Sequence, residues 1–296
     1  MTMSKQAVAE KGNVVSTNKY KEIWRRFAKN KPALIGLAIF AVLLFVIVFA
    51  DFIASPELVH YQDYTAMLQR PSAEHWFGTD NYGRDIFARV IHGAKYSLSI
   101  ALAVTVATTI LGVIIGTVAI YCGGWVDTIL MRVMDVFTSI PGLLLNMVIV
   151  AAMGTSTTSM FVAMTISGTP ATARIVRTAL LNVIGNEYVE ACHAIGTGTV
   201  RILSKHIIPN ALGPVIVSAT QGVATRILTC ATLSFIGLGF QEPTPEWGAM
   251  LSQAREYFRG YMYMMVFPGI AIMLSSLSIN LIGDGLRDAL DPRLRD

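Results

Sequence analysis

Apolar residues come in long unbroken runs along this chain, and the spacing of those runs predicts its architecture. From 33 to 50 there is no charged or polar side chain, and the run LIGLAIFAVLLFVIVFA holds thirteen Leu, Ile, Val or Phe. At about −0.3 to −0.6 kcal/mol each, these favour membrane insertion by about 4 to 8 kcal/mol. A first transmembrane helix is predicted over 33–53. A second uncharged stretch covers 96–126, and its apolar part, 98–121, matches the roughly 20 residues a helix needs to cross a bilayer. Positions 136–173 are uncharged for 38 residues, too many for one crossing, and the polar cluster GTSTTS at 154–159 divides them. Two spans joined by a tight turn are predicted there, over 136–153 and 160–176, then a fifth near 213–236 and a sixth near 261–282.

The expected fold class is therefore an all-α membrane protein of six transmembrane helices, with both termini on one side. Charge decides which side. Eight of the 23 Lys and Arg precede residue 33, against two acidic residues there. That makes 1–32 a basic cytoplasmic tail by the positive-inside rule, and the tally over the whole chain agrees, with 16 Lys and Arg inside, the tail included, against six outside. The large outward segments are then 54–95 and 237–260, and the largest inward one is 177–212. In domain terms the chain divides into the tail, the span 33–53, an extracytoplasmic elbow 54–95, and a core 96–296 with five spans.

Composition reinforces the membrane assignment: of 296 residues 53% are hydrophobic and only 14% charged, where soluble proteins carry about a quarter. The three cysteines, Cys122, Cys192 and Cys230, stand singly and suggest neither a disulfide framework nor a metal site. The basic residues stop where the first apolar run begins, so membrane lipid and not nucleic acid is their expected partner. No GxxxxGK[ST], HExxH or GxSxG occurs, and the five histidines are scattered. No catalytic residue, metal ligand or cofactor is expected, and any use of ATP has to come from partner subunits.

Arg226 is the one charge near the middle of a span. A central Arg costs about 2.5 to 3.5 kcal/mol on insertion, close to what the apolar residues of that span return. Two readings stand: Arg226 faces a translocation path and meets an anionic group of a cargo, or it makes an interhelical hydrogen bond or snorkels. Prolines at 141, 170, 214 and 268, with the polar Asn146 and Asn280, suit helices that kink or that pack closely.

The inward segment NEYVEACHAIGTGTVRILSKHIIPNALGP has a helical apolar pattern at Tyr188, Ala191 and Ile195, breaks at Gly196, and resumes at Val200, Ile202 and Leu203. Two short helices joined by a glycine turn are predicted, with an apolar face that needs either a protein partner or the lipid interface. This segment, 187–209, resembles the coupling loop of ABC importer permeases, with its pattern EAA, three residues, Gly, nine residues, IxLP. Glu190, Ala191, Gly196 and Pro209 match at the right spacings, while Cys192 replaces the second Ala, His206 the Ile and Ile208 the Leu.

The resemblance extends along the chain. HWFGTDNYGRDIFARVIHGAKYSL, LSFIGLGFQEPTPEWGAML and the ending GDGLRDALDPRLRD are similar to the dipeptide, oligopeptide and nickel permeases, most of all to the C-type subunit of dipeptide permeases. The binding-protein-dependent ABC permease fold is thereby implied, in a cell membrane of bacterial type. Further implications are a homologous second permease subunit, two ABC ATPase subunits below, and an extracytoplasmic solute-binding protein above. Glu187, Tyr188, Glu190, Ala191, Cys192, Gly196, His206 and Pro209 then form the ATPase-coupling loop.

Outside, Gly78, Thr79, Asp80, Gly83, Arg84 and Asp85 form the expected elbow motif, with Thr79 or Asp80 as helix cap, Gly83 as a turn, and Asp85 paired with Arg89. Docking of the binding protein or shaping of an outer gate is one reading of this motif, and a purely structural elbow the other. Trp247, in the outer turn PTPEWG, is expected to anchor at the membrane interface. The cargo implied is a dipeptide or short peptide; nickel or another small solute is the alternative, and a secondary carrier or channel the alternative of a different class.

Overall fold

The computed structural model describes residues 19–290, so most of the basic tail (1–18) and the final DPRLRD (291–296) lie outside the described residues. Among those described there is no strand, and the chain runs through thirteen α-helical segments. They are α1 (Lys19–Phe27), α2 (Lys31–Val48), α3 (Ala50–Ile53), α4 (Pro56–His60), α5 (Ile86–Cys122), α6 (Gly124–Thr138), α7 (Gly142–Met153), α8 (Thr157–Ile184), α9 (Glu187–Ala194), α10 (Thr199–Ile202), α11 (Ile208–Phe235), α12 (Trp247–Ala254) and α13 (Tyr263–Leu290).

Four of these are long and apolar enough to cross a membrane: α2, α5, the continuous helix Thr199–Phe235 that contains α11, and α13. The outward faces of α2 and α5 carry exposed Val42, Phe45, Val48, Val106, Ile110 and Ile114. An apolar belt of this extent is tolerable only against lipid. A bent pair, α6 with α7, makes a fifth candidate span, and its two halves meet at 86°. α8 is long enough, with 28 residues, but its many Thr, Ser and Gly leave it outside that apolar set.

The span predicted over 136–153 is broken at Pro141, one of the prolines read as a kink position, and its start belongs to α6, which begins at Gly124. Pro141 has no N–H to continue α6 and disfavours helix at Ile140 before it, so the chain breaks there and restarts at Gly142. The second span also starts earlier than its apolar run: α5 begins at Ile86 and continues for 37 residues without interruption, taking up the last part of the predicted elbow.

Packing centres on α5, α8, α11 and α13. Small residues set the approach of α5 to α8: a methyl added at Gly112 would come within 2.6 Å of the Thr172 side chain, and one at Gly116 within 2.8 Å of Val176. α13 packs on α11 on one side and on α2 on the other, where Gly36 lies against Ser278 and Leu281. One core cluster joins α5, α11, α12 and α13 around Ile86, Leu98, Ile227, Trp247 and Ile279. Another gathers Val176, Leu180, Val189, Ile202, Ile207, Ala211 and Val215 where α8, α9 and α11 meet.

Replacing Gly112 or Gly116 by Leu should wedge α5 from α8 and destabilise the protein by about 1 to 3 kcal/mol, seen as a lower unfolding temperature in detergent. Gly213→Ala, where a methyl meets nothing within 4 Å, should leave that temperature unchanged or slightly raised.

Candidate functional site

A cavity of about 430 Å³ opens between α5, α7, α8 and α11. α8 contributes Met164, Ser167, Gly168, Ala171, Thr172 and Ile175, and α11 contributes residues from Ser218 to Thr229, including Arg226. Small hydroxyl-bearing side chains share this lining with apolar Leu143, Met164, Ala171, Ile175 and Ala219, and it contains no Asp, Glu, His or Cys.

Arg226 is held by three neighbours, two of them on other helices. Its Nη2 donates to Thr108 Oγ1 at 2.7 Å. Its guanidinium lies over Gly168 and Gly222, since a methyl at Gly168 would be 2.9 Å from Nη2 and one at Gly222 would overlap Nη1. Arg226 Nε has no hydrogen-bond partner, and none of the salt bridges among the described residues involves Arg226. Asn146, on α7, is 2% exposed, lines the same cavity, and has an unpartnered Oδ1. The interhelical hydrogen bond and the place on a cavity, set against each other by the sequence, thus occur together. Thr108, Gly168 and Gly222 carry no sequence signal of their own, because only the fold brings them to Arg226.

The inward loop forms from α9 and the turn after it. α9 ends in a Schellman motif: Gly196 has φ +76, its N–H donates to His193 O at 3.0 Å, and Thr197 N–H donates to Cys192 O at 3.1 Å. A side chain at 196 would find open space, so the requirement for glycine is the left-handed backbone and not crowding. Glu187, Tyr188, Glu190, Ala191, Gly196 and Pro209 are exposed or nearly so, and Cys192 and His206 partly so. Val189 is the inward residue, buried against α8 and α11.

One expectation about this loop changes. Its second short helix is the first turn of a helix that continues, through a π-helical segment Leu203–Ile207, into α11. Ile195 and Val200 do not pack inward but are 80% and 64% exposed, leaving apolar surface on the same loop as the exposed Glu187 and Glu190.

On the opposite face all six elbow residues, Gly78, Thr79, Asp80, Gly83, Arg84 and Asp85, are buried, with Gly78 packed against Tyr263 and the Gln69 carbonyl. Asp85, and neither Thr79 nor Asp80, caps α5, accepting from Ala88 N–H at 2.8 Å, and its other oxygen meets His75 Nδ1 at 2.8 Å. Arg89 accordingly pairs elsewhere. Thr79 instead ties loop to loop, donating to Ala66 O at 2.5 Å and accepting from Gln69 N–H at 2.8 Å. Gly83 turns with φ +73 against the Asp63 carbonyl, which any Cβ would overlap.

Arg84 is the hub of this cap. It donates to Asp80 at 2.7 Å, to Glu242 at 2.6 Å and to Gln253 at 3.0 Å, while Arg89 reaches Glu242 at 3.4 Å and the carbonyls of Val59 and Pro243. Burial pushes the Arg84 guanidinium toward losing its proton, but the bond to Glu242 and the charges of Asp80 and Glu242 outweigh it and hold its pKa above the ordinary arginine value. Trp247, expected at the membrane interface, is buried instead, with its indole N–H on Val90 O at 3.0 Å and its ring filling the space beside Gly93. The fully buried Glu246 caps α12 and accepts from Ser97 at 3.0 Å.

The sequence profile of the binding-protein-dependent transport system inner membrane component family matches residues 108–296, and that of the N-terminal transmembrane domain of oligopeptide transport permease C matches 19–71. The chain is 39% identical over 295 residues to the dipeptide transport system permease protein DppC of Alkalihalophilus pseudofirmus, covering 100% of this chain and 97% of that one. It is 41% identical over 281 residues to the glutathione transport system permease protein GsiD of Escherichia coli O157:H7, covering 93% and 91%. Among solved structures, the MetNI methionine ABC transporter in an inward-facing conformation superposes with TM-score 0.57 at 21% identity, over 69% of this chain and 96% of that chain. At that identity the likeness speaks to the fold alone.

Removing Arg84 should leave Asp80 buried without its main partner. Arg84→Ala is expected to cost about 3 to 5 kcal/mol. Glu242→Ala leaves the buried Arg84 and Arg89 sharing Asp80 alone, and because water reaches the Glu242 side it should cost less, about 1 to 3 kcal/mol. Thermal unfolding of the purified variants in detergent measures both.

Proposed function

The chain belongs to the binding-protein-dependent transport system inner membrane component family, and we propose that it is the permease subunit of an ATP-driven ABC importer of dipeptides and other short peptides. It is a multi-pass membrane protein. Chemistry on ATP belongs to partner subunits, and this chain supplies half of the path and the contact through which hydrolysis is felt. The assembly we propose contains this chain, a homologous second permease subunit, two ABC ATPase subunits on the cytoplasmic face, and a solute-binding protein on the other. Six crossings with both termini in the cytoplasm fit the positive-inside count and leave the exposed α9 turn facing the ATPases.

The observation that carries this reading is the continuity between that turn and the cavity. Val189 of α9 is buried with Val176 and Leu180 of α8 and Ala211 and Val215 of α11. The adjoining stretches of the same two helices, from Ile175 back to Met164 on α8 and from Ser218 onward on α11, line the cavity. A displacement of α9 by a closing ATPase cleft therefore acts on both cavity walls at once. Interiors packed this closely switch between discrete arrangements more readily than they deform. Exposed Ile195 and Val200, on the same loop as Glu187 and Glu190, offer a partner an apolar contact accompanied by negative charge. Peptide cargo is supported by the dipeptide and glutathione permeases to which the chain is similar, and by a cavity whose one charged group is a guanidinium.

Uptake of labelled dipeptide and, separately, of labelled nickel tests the cargo, in cells with and without this gene and with its native partner genes present. Loss of dipeptide uptake alone is expected; loss of nickel uptake alone would replace the peptide reading with a metal one. For coupling, Gly196→Leu forces a branched side chain into left-handed backbone at a cost of about 1 to 2 kcal/mol and should loosen the end of α9. The variant is expected to reach the membrane normally yet lose most peptide uptake per ATP hydrolysed in proteoliposomes. Full uptake at wild-type stoichiometry would count against α9 as the coupling element.

A further inference from the structure

The guanidinium of Arg226 sits in the cavity wall with unused hydrogen-bonding capacity. A charge inside a span is costly, and a merely structural contact between α5 and α11 would be served by a neutral donor. Thr108 satisfies one N–H, Nε is left without a partner, and the acidic residues of α6 are engaged elsewhere. Asp127 holds Arg177 through two hydrogen bonds, and Asp135 holds Arg174 at 2.6 Å. The cavity therefore presents one net positive charge and no negative one.

Two glycines, Gly168 and Gly222, leave the flat guanidinium lying on backbone, which fixes its plane. Fixed planar N–H pairs recognise carboxylates bidentately. The second observation is Asn146: it is nearly fully buried, borders the same space, and has an amide oxygen with no donor. An acceptor on the wall of the same cavity as a carboxylate-binding cation matches a free carboxylate followed by a peptide N–H, which is the C-terminal end of a peptide almost irrespective of its side chains. A volume of about 430 Å³ is within the usual range of small-molecule sites, about 300 to 1,000 Å³.

We infer that this cavity is a transient subsite for the C-terminal carboxylate of the peptide cargo, with Arg226 clamping the carboxylate and Asn146 accepting the neighbouring peptide N–H. The inference rests on the peptide-importer reading and deepens it: cargo crosses in a fixed orientation, its carboxylate against α8 and α11 of this subunit. The ammonium end finds no carboxylate in this cavity and faces away from it. Recognition is of the backbone terminus, so side chains of the cargo are left unselected at this step. Thr108 acts as a positioning residue through its hydrogen bond to Arg226.

The test uses the complete transporter with its native partners in proteoliposomes, reading uptake of labelled dialanine together with ATP hydrolysis stimulated by the binding protein. Arg226→Gln removes the charge-assisted hydrogen bonds to the carboxylate and should lower uptake by about tenfold or more. Stimulated hydrolysis should stay within about twofold, since a neutral amide leaves the packing of α11 in place. Thr108→Val, which removes the interhelical bond but keeps the charge, should lose far less uptake. If Arg226→Gln fails to assemble, Arg226→Lys decides: uptake well above that of a transporter lacking this chain supports the clamp, and none overturns it. Wild-type uptake by Arg226→Gln, or an equal loss of uptake in Thr108→Val, overturns the subsite and leaves the importer reading intact. Absence of dialanine uptake by the wild-type transporter would instead overturn the peptide reading, and the subsite with it.

Discussion

The close approach of α5 to α8 is the contact on which the rest of this structure depends. It is made by absent side chains, Gly112 and Gly116, where any larger residue would meet Thr172 or Val176. In lipid there is no hydrophobic drive to bring two helices together, so dispersion contacts at short range have to do it, and small residues make short range possible. That approach sets Thr108 of α5 within reach of Arg226 on α11, and it places α8 where its Ser, Thr and Gly positions become a cavity wall and not a lipid face. It also explains why α8 is the least apolar long helix: buried Ser159, Thr165, Thr169 and Pro170 face protein, where lipid compatibility is not demanded.

The two ends of the molecule solve the problem of polar groups differently. At the outer cap, charges are brought together: Asp80, Arg84, Arg89 and Glu242 form a compact, nearly neutral group, and backbone carbonyls take what is left over. Such a group gives little net stability compared with apolar packing, but it is unforgiving of alternatives, since any misplacement of the 78–89 turn against the 242–253 segment strands a buried charge. At the inner loop, polar and apolar groups alike are left exposed, and Val189 is the buried residue that commits α9 to the bundle. A rigid outer cap and a lightly attached inner loop are what the proposed drive from the cytoplasmic side would require.

How much of this is legible in the sequence follows from how local each determinant is. Transmembrane helices announce themselves because every lipid-facing residue contributes to the same signal, and α2, the body of α5, α11 and α13 lie where hydropathy puts them. Breaks depend on single residues: Pro141 marks a candidate kink in the sequence, but nothing local says that it will turn the chain by 86° where Pro170, Pro214 and Pro268 stay inside continuous helices. Trp247 and the elbow charges look like surface features because loops usually are, whereas here loops pack on loops and bury Trp247, Arg84 and Glu246 together. The apolar period over Tyr188, Ala191 and Ile195 is real, but it does not say which stripe faces the bundle; Val189 does, and Ile195 does not. Arg226 stands out as a lone intramembrane charge, while its neighbours Thr108, Gly168 and Gly222 are ordinary residues made specific only by tertiary packing.

Two prolines lie where a link between lever and cavity would need compliance. Pro214 falls on α11 between Ala211, in the cluster around Val189, and Ser218, the first cavity residue on that helix. Pro170 falls on α8 between cavity residues Gly168 and Ala171. Each removes one backbone hydrogen bond and crowds the preceding turn, so each marks the point where its helix bends at least cost. In the proposed coupling, motion entering at α9 would meet one weakened turn on α11 inside the cluster around Val189 and another on α8 in the cavity wall. Bending there would change the distance between Arg226 on α11 and Asn146 on α7, against an α5–α8 contact that grips α8 on both sides of Pro170, at Thr172, Ala173 and Val176 through Gly112 and Gly116 and at Met160 and Met164 through Ile100 and Val104.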